Sequence, residues 1–479
     1  MHPFTPAARS AAADGTRVPG RTVAAACLIL LPGCAFERYA REPLESQRVV
    51  SELVEERRAL ALHVAVSDGD ALNLAEAADL LRERNPDLRV ARAAYETARA
   101  ASERDTPFPN PTLAVGPEFG FGSDAASPYV VPLVRLGVTI PTAGKRSKQD
   151  AVLDAAATVA DVDYVTSCGQ LYLELRRRYV ALSVARAREA VQTEIVAAAE
   201  KSLDAARRLV EAGGAQALDV SLFRLEHARE RARGFEARRD VADAESDLAG
   251  MLALRADALH ALSAGELPRL PDPGRDLDAL AAALHETHPM LLRAEARHEL
   301  AERELSLEIA KQYPDLTLGA GFKDEVGVDL SLAELALGMA LPIFDRNQGP
   351  ILAATARRVE AKVAYGAAAD RALGELERAH RAAEIAESRH LALQDEVLPA
   401  ARNNVEVAYR ALPAGSADAL QVLDAERSLR QVELELLEAE LELQLAWCDL
   451  ERAFGAPLLV FDEPEEHERP VDGEAGDGR

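Results

Sequence analysis

The sequence predicts a mainly α-helical chain with a smaller β portion suited to a membrane, assembled from two copies of one unit. Three observations predict it: landmarks recurring about 202 residues apart, breaker-free segments too long for a globular core to cover, and short runs of period-two alternation.

The duplication is read from paired landmarks. Asn85-Pro86 recurs as His288-Pro289, a shift of 288−85 = 203. Pro109-Asn110-Pro111 recurs as Gln312-Tyr313-Pro314, again 314−111 = 203. Ile140-Pro141 recurs as Leu341-Pro342 (342−141 = 201), and Ala212-Gly213…Val220 as Ala414-Gly415…Val422 (422−220 = 202). Solenoid repeats have periods of roughly 20–50 residues, so this is two large copies and not an array. The first occupies 72–267, a linker with three prolines spans 268–276, and the second occupies 277–457.

Ahead of the copies lies an export signal over 1–33. Arg9, Arg17 and Arg21 precede the apolar run Val23 to Leu31, which ends at Pro32-Gly33-Cys34. That run falls short of the ~20 residues that a bilayer-spanning helix needs. Leu31-Pro32-Gly33-Cys34 resembles a bacterial lipobox, which implies that Cys34 is acylated and becomes the mature first residue. An N-terminal segment, 34–71, follows.

Within the first copy, Leu72 to about Leu81 reads as a short amphipathic helix. Asn85-Pro86 starts the next, with Pro at the first helical turn, and it runs to about Arg104. Three prolines between Asp105 and Pro111 break it. Two extended runs, 112–121 and 129–140, then alternate apolar residues with small or polar ones. Leu113, Val115, Val134, Leu136 and Val138 share one face, and Gly116, Glu118, Arg135 and Thr139 the other. That alternation over about ten residues suits a strand with lipid on one side and water on the other. Lys145 to Glu211 contains no breaker except Gly169, giving a helix of about 100 Å at ~1.5 Å per residue. A tight turn at 212–215 leads into a return helix over about 216–254.

The second copy repeats this pattern with strands at about 316–323 and 334–341, a long helix at about 349–411 and a return helix at about 417–455. Pro399 predicts a kink near the far end of its long helix. In the third strand, the glycines of Gly319-Ala320-Gly321 read as small inward residues. Phe119, Phe121, Tyr129, Phe322 and Phe344 gather at the strands in a chain with only 4% aromatic residues, as rings at a membrane boundary do. Helices this long must pack side by side as coiled coils. The tail, 458–479, is acidic, carries Gly and Pro, and is expected to be disordered.

Composition excludes several classes. A net charge of −25 argues against nucleic acid. It suits a cation-favouring conduit, and it equally suits solvated helix faces. The sequence contains no P-loop, catalytic triad, H-E-x-x-H motif or clustered metal ligands, so no enzyme, cofactor or metal centre is expected. Cys168 and Cys448 have no Cys or His partner at metal spacing and read as small buried side chains. His285 and His288 stand three apart and read as a solvated pair, since a metal needs a completed shell.

Taken together, these elements resemble the TolC-type outer-membrane efflux proteins, the outer membrane factors of tripartite efflux systems, from about Leu72 to Gly455. Pro342-Ile343-Phe344-Asp345-Arg346-Asn347-Gln348-Gly349 resembles the branch serving heavy-metal-cation exporters of the resistance-nodulation-division type. Drug-exporting relatives and channels of type I protein secretion share much of this pattern. The resemblance implies a homotrimer in the outer membrane of a Gram-negative bacterium, anchored through Cys34, with a 12-stranded β-barrel and a long α-helical barrel. It implies a passive conduit served by a periplasmic adaptor and an inner-membrane pump, with outer-membrane lipid around it. Physics separately demands an oligomer, because four strands leave two open edges that hydrocarbon does not tolerate. The competing architecture is a periplasmic adaptor or coiled-coil structural protein, which would show one hairpin and no duplication.

The family resemblance also names candidate residues. The tip turns, with Gly213, Gly214, Ala414 and Gly415, are expected to meet the adaptor. Acids in a Val-Asp-Val-Leu-Asp-Ala pattern ring the periplasmic aperture in the family; here the stretch reads Leu420-Gln421-Val422-Leu423-Asp424-Ala425. Asp424 matches and Gln421 departs. Asp219 holds in the first copy the place of Gln421 in the second, and Asp418 is a further acid near the tip. Acids near a helix N-terminus serve equally to satisfy its dipole.

Overall fold

Residue pairs 201–203 positions apart occupy equivalent places in two hydrophobic cores. In the first, Ala77, Leu81, Leu88, Leu175, Leu248 and Leu252 pack together. In the second, Leu280, Leu284, Leu291, Leu376, Leu450 and Phe454 do so, at shifts of 203 (280−77, 284−81, 291−88), 201 (376−175) and 202 (450−248, 454−252). The computed structural model describes residues 39–66, 73–120, 129–211, 217–260, 276–325, 330–411 and 419–456. The signal segment with Cys34, both tip turns, Asp418, Phe121, residues 268–275 of the linker and the acidic tail lie outside the described residues.

The N-terminal helix α1 (Ser46–Val66) is exposed along residues 46–59. In the first copy, α2 (Leu74–Arg84) opens with a capping box: Asn73 Oδ1 accepts from Glu76 N, and Glu76 Oε2 accepts from Asn73 N. Asn85 then caps α3 (Pro86–Ser102), its Oδ1 accepting from Asp87 N at 2.9 Å and Leu88 N at 3.0 Å. Strands β1 (Thr112–Gly120) and β2 (Tyr129–Ile140) follow. The long helix α4 (Lys145–Glu211) has 67 residues, and α5 (Ala217–Met251) returns along it. The return stops three residues short of its expected end because Ala253 takes a left-handed conformation, φ 54°, and Leu254 N bonds back to Ala249 O. A short helix, α6 (Ala256–His260), comes next.

The second copy contains α7 (Leu277–Thr287), α8 (Pro289–Lys311), β3 (Leu316–Glu325), β4 (Leu330–Met339), α9 (Gln348–Ala392), α10 (Leu398–Ala411) and α11 (Ala419–Phe454). Gly455, with φ 89°, ends α11 as Ala253 ends α5, 455−253 = 202 residues earlier. Glycine is required there: a Cβ would lie 2.5 Å from Thr287 O and 2.6 Å from His288 Cα.

Three expectations need correction. His285 and His288 are not a solvated pair. His288 is 3% exposed, and its Nδ1 accepts from Met290 N at 3.3 Å as the cap of α8, whereas His285 lies open beside Glu286. The fourth strand begins at Leu330, not 334, and the third runs on to Glu325. The ladder continues through Asp324 and Ser331, whose polarity reads as loop although backbone pairing is indifferent to it. The second long helix is not one α-helix with a simple kink: Leu393–Val397 form a π turn, where Leu398 N reaches Leu393 O. Pro399, one residue on, has no N–H for the carbonyl of Asp395, and the widened turn absorbs that loss.

The four strands form one antiparallel sheet in the order β1-β2-β3-β4. β2 and β3 come from different copies, so the sheet joins the two units. At its base, Thr142 Oγ1 donates to Pro314 O at 2.6 Å, and Lys145 Nζ lies 2.5 Å from Asp315 Oδ1. Thr106 holds the neighbouring strut, donating from N and Oγ1 to Asp150 Oδ1, and these bonds lower the Asp150 pKa from its ordinary value.

Candidate functional site

Register divides the sheet into two chemically distinct faces. Leu113, Leu136, Ala320 and Leu335 lie in one row across the strands; Val115, Val134, Phe322 and Ala333 form the next. Val138-Leu318-Leu337 and Ile140-Leu316-Met339 continue the apolar face, most of it exposed, with Leu335 90% accessible. The opposite face carries Ala114-Arg135-Gly321-Glu334, Thr112-Gly137-Gly319-Ala336 and Thr139-Thr317-Gly338. Because side chains alternate strictly, a slip of one residue in any strand would exchange these faces.

The polar face holds ion pairs. Arg135 Nη2 meets Glu334 Oε2 at 2.9 Å, and Lys323 Nζ meets Glu118 Oε2 at 3.4 Å. Of the aromatic residues expected at the boundary, Phe322 and Phe344 are exposed, Phe344 at 92%. β1 and β4 each have one side without a described partner strand. Among the described residues no helix is long and apolar enough to cross a membrane. No group of three or more His, Cys, Asp or Glu able to hold a metal occurs among them either.

Of the aperture candidates at the opposite end of the long helices, Gln421 lies in the first turn of α11 and Asp424 in the second. Gln421 and Asp424 are exposed. Asp424 Oδ1 lies 3.6 Å from Arg427 Nη1, and Arg427 Nη2 reaches Glu226 of α5 at 3.2 Å. Asp424 therefore has a cation beside it that links the two return helices. Asp219 sits in the first turn of α5 by its backbone. The side chain of Asp219 lies outside the described part of the structure.

The model of the outer membrane efflux protein family matches this chain twice, over residues 77–254 and 280–456. The chain belongs to that family. This efflux protein is 24% identical over 384 residues to the cobalt-zinc-cadmium resistance protein CzcC of Cupriavidus metallidurans, an alignment covering 80% of this chain and 90% of the relative. Its fold is similar to that of the outer-membrane channel OprN, with TM-score 0.65, 22% identity and coverage of 80% of this chain and 90% of that one. It is also similar to the outer membrane protein VceC of Vibrio cholerae, with TM-score 0.63, 17% identity and coverage of 80% and 96%. Two matches of the family model, one per copy, agree with the internal duplication.

Several residues of the efflux protein that shape these regions carry no local sequence signal. Arg427 and Glu226 stand about 200 residues apart, and Arg135 and Glu334 are 199 apart. Only the strand register, read alongside the duplication, could have placed Arg135 and Glu334 opposite one glycine.

Proposed function

We propose that this efflux protein works as a homotrimeric outer-membrane channel in a tripartite system, a passive conduit for heavy-metal cations delivered by an inner-membrane pump through a periplasmic adaptor. The observation that supports this reading is the two-faced sheet with an unpartnered edge at β1 and another at β4. Lipid does not tolerate open edges, so β1 of one copy must pair with β4 of the next. Three copies supply twelve strands, enough for a barrel with a water-filled lumen. The apolar face then meets lipid, and the face with Arg135 and Glu334 lines the lumen. The helices α4 and α9, the first about 100 Å long, carry the conduit across the periplasm.

In this reading the tip turns with Gly213, Gly214, Ala414 and Gly415 contact the adaptor, and Asp219, Asp418, Gln421 and Asp424 stand around the aperture. Cys34 carries the lipid anchor. Likeness to a cobalt-zinc-cadmium resistance protein favours divalent metals as cargo.

Mass measurement of protein extracted from outer membranes in detergent tests the assembly: a trimer is expected, and a stable monomer would overturn the channel. Deleting the gene should sensitise cells to zinc, cobalt or cadmium; unchanged metal tolerance with new drug sensitivity would reassign the cargo. Cys34→Ser should abolish palmitate labelling, and labelling that persists would remove Cys34 from the anchor.

A further inference from the structure

We propose that the barrel end of the conduit is held neutral to ions by internal ion pairing, and that Arg135 and Glu334 are the residues that set this neutrality. The inference rests on the reading above that the polar face of the sheet lines the lumen.

Below the loop end of that face, where Glu325 closes β3, four charged side chains stand in its strands. Glu118 and Glu334 are acids; Arg135 and Lys323 are bases. Each lies against an opposite charge from a strand that is not its neighbour. Arg135 on β2 and Glu334 on β4 are both in register with Gly321 on β3. Two strand spacings separate them, about 9.6 Å, which a long cation and a long acid bridge only by leaning over what lies between. Gly321 leaves that path open: a Cβ there would come within 3.3 Å of Glu334 Oε2. Lys323 reaches Glu118 across β2 on a diagonal, past Leu133 and Val131.

The surroundings make these charges count. On one side of the pair, Gly137, Gly319 and Ala336 fill the adjoining row and leave it open to the lumen, while Leu133, Lys323 and Leu332 stand in the row on the other side. Arg135 and Glu334 are about half exposed, at 49% and 48% of their side chains. A pair so hydrated adds too little to stability for that to be its main effect. Its effect on the field is larger. A ring of three bare carboxylates would draw cations and repel anions at that level. Paired with guanidinium, each becomes a local dipole whose field fades faster with distance than that of a net charge.

The experiment uses the full-length protein in planar bilayers, reading the potassium-to-chloride permeability ratio from reversal potentials in a salt gradient. Arg135→Gln leaves Glu334 uncompensated and should raise the ratio roughly two- to tenfold near 0.1 M salt. Glu334→Gln leaves Arg135 and should lower it by a similar factor, while the double variant should return close to the wild-type value. All shifts should shrink at about 1 M salt, where the screening length falls to ~3 Å. Conducting variants with unchanged ratios, or single variants that both shift the same way, would overturn the inference and leave the channel reading intact. Wild-type protein that forms no conducting pore overturns the channel reading and this inference with it.

Discussion

Arg176 of α4 and Glu451 of α11 meet at 2.5 Å with 0% and 1% of their side chains exposed, joining the two copies through an ion pair shut off from water. Their neighbours register that dryness. Burial raises the Tyr172 hydroxyl to about 12, against the opposing pull of Arg176, and raises the Cys448 thiol to about 11. Two charges removed from water gain little over a well-packed apolar pair, but one left alone is heavily penalised. Arg176→Met should therefore destabilise the protein by about 3–5 kcal/mol, because it removes the guanidinium from beside the buried Glu451 carboxylate. Adding Glu451→Leu should recover most of that loss. Thermal melting of the single and double variants checks this, and a double variant as unstable as the single would disprove it.

Leu136→Arg and a change at Arg135 should differ sharply, although the residues are adjacent. Leu136 lies on the apolar face between Leu113 and Ala320; Arg135 lies on the other. Placing a guanidinium against the lipid midplane costs about 2–4 kcal/mol, whereas Arg135→Leu should be tolerated. The yield of assembled trimer in outer membranes measures both. Equal tolerance would mean that this strand does not cross a membrane.

His288 should make the second copy acid-sensitive. Burial pushes its imidazole below the ordinary value of 6.5, with Glu375 acting weakly in the opposite sense. When the folded-state pKa is the lower one, the unfolded chain takes up the proton first. Stability is then complete above the ordinary value, falls as pH drops through it, and levels off below the folded-state value. His288→Asn would install the residue that serves at Asn85 in the first copy and remove this contribution. Melting between about pH 7.5 and 5.5 should show a steeper loss for wild type than for the variant. Parallel profiles would assign the acid sensitivity elsewhere.

Asp424→Asn should lower the cation preference of the open pore, and more so at low salt, since a wet constriction is screened. Arg427, 3.6 Å from Asp424, offsets part of that charge. Arg427→Gln should therefore shift permeability the opposite way. Reversal potentials that ignore both substitutions would place Asp424 outside the conducting path.

Elements defined by neighbours along the chain are legible in the amino-acid sequence. Alternation locates β2 at Tyr129–Ile140, and the absence of breakers locates α4 at Lys145–Glu211, with the bounds observed. Both signals are local, since side-chain periodicity and proline chemistry act over a few residues. What stays hidden depends on distant partners. Arg176 and Glu451 are 275 residues apart, and neither shows in its own helix that it will be dry. His288 reads as one of two open histidines because nothing near it in sequence announces that the end of α11 closes over it, through Thr287 Oγ1 and Phe454 O. Of the aperture candidates, Asp424 is marked by resemblance. Its partner Arg427 is not, because the charge that draws it towards α5 lies in the other copy.

The π turn at Leu393–Val397 has a consequence for symmetry. An extra residue in one turn advances the helical phase, so α10 presents a face to α11 that an unbroken helix would have turned aside. The first copy has an unbroken α4 at the matching height. In a trimer, six hairpins would descend towards the adaptor, and only every second one would carry this advance. The rim they form would then repeat three times per revolution, not six, and would present two kinds of groove in alternation. A partner with identical docking hairpins would have to choose between them.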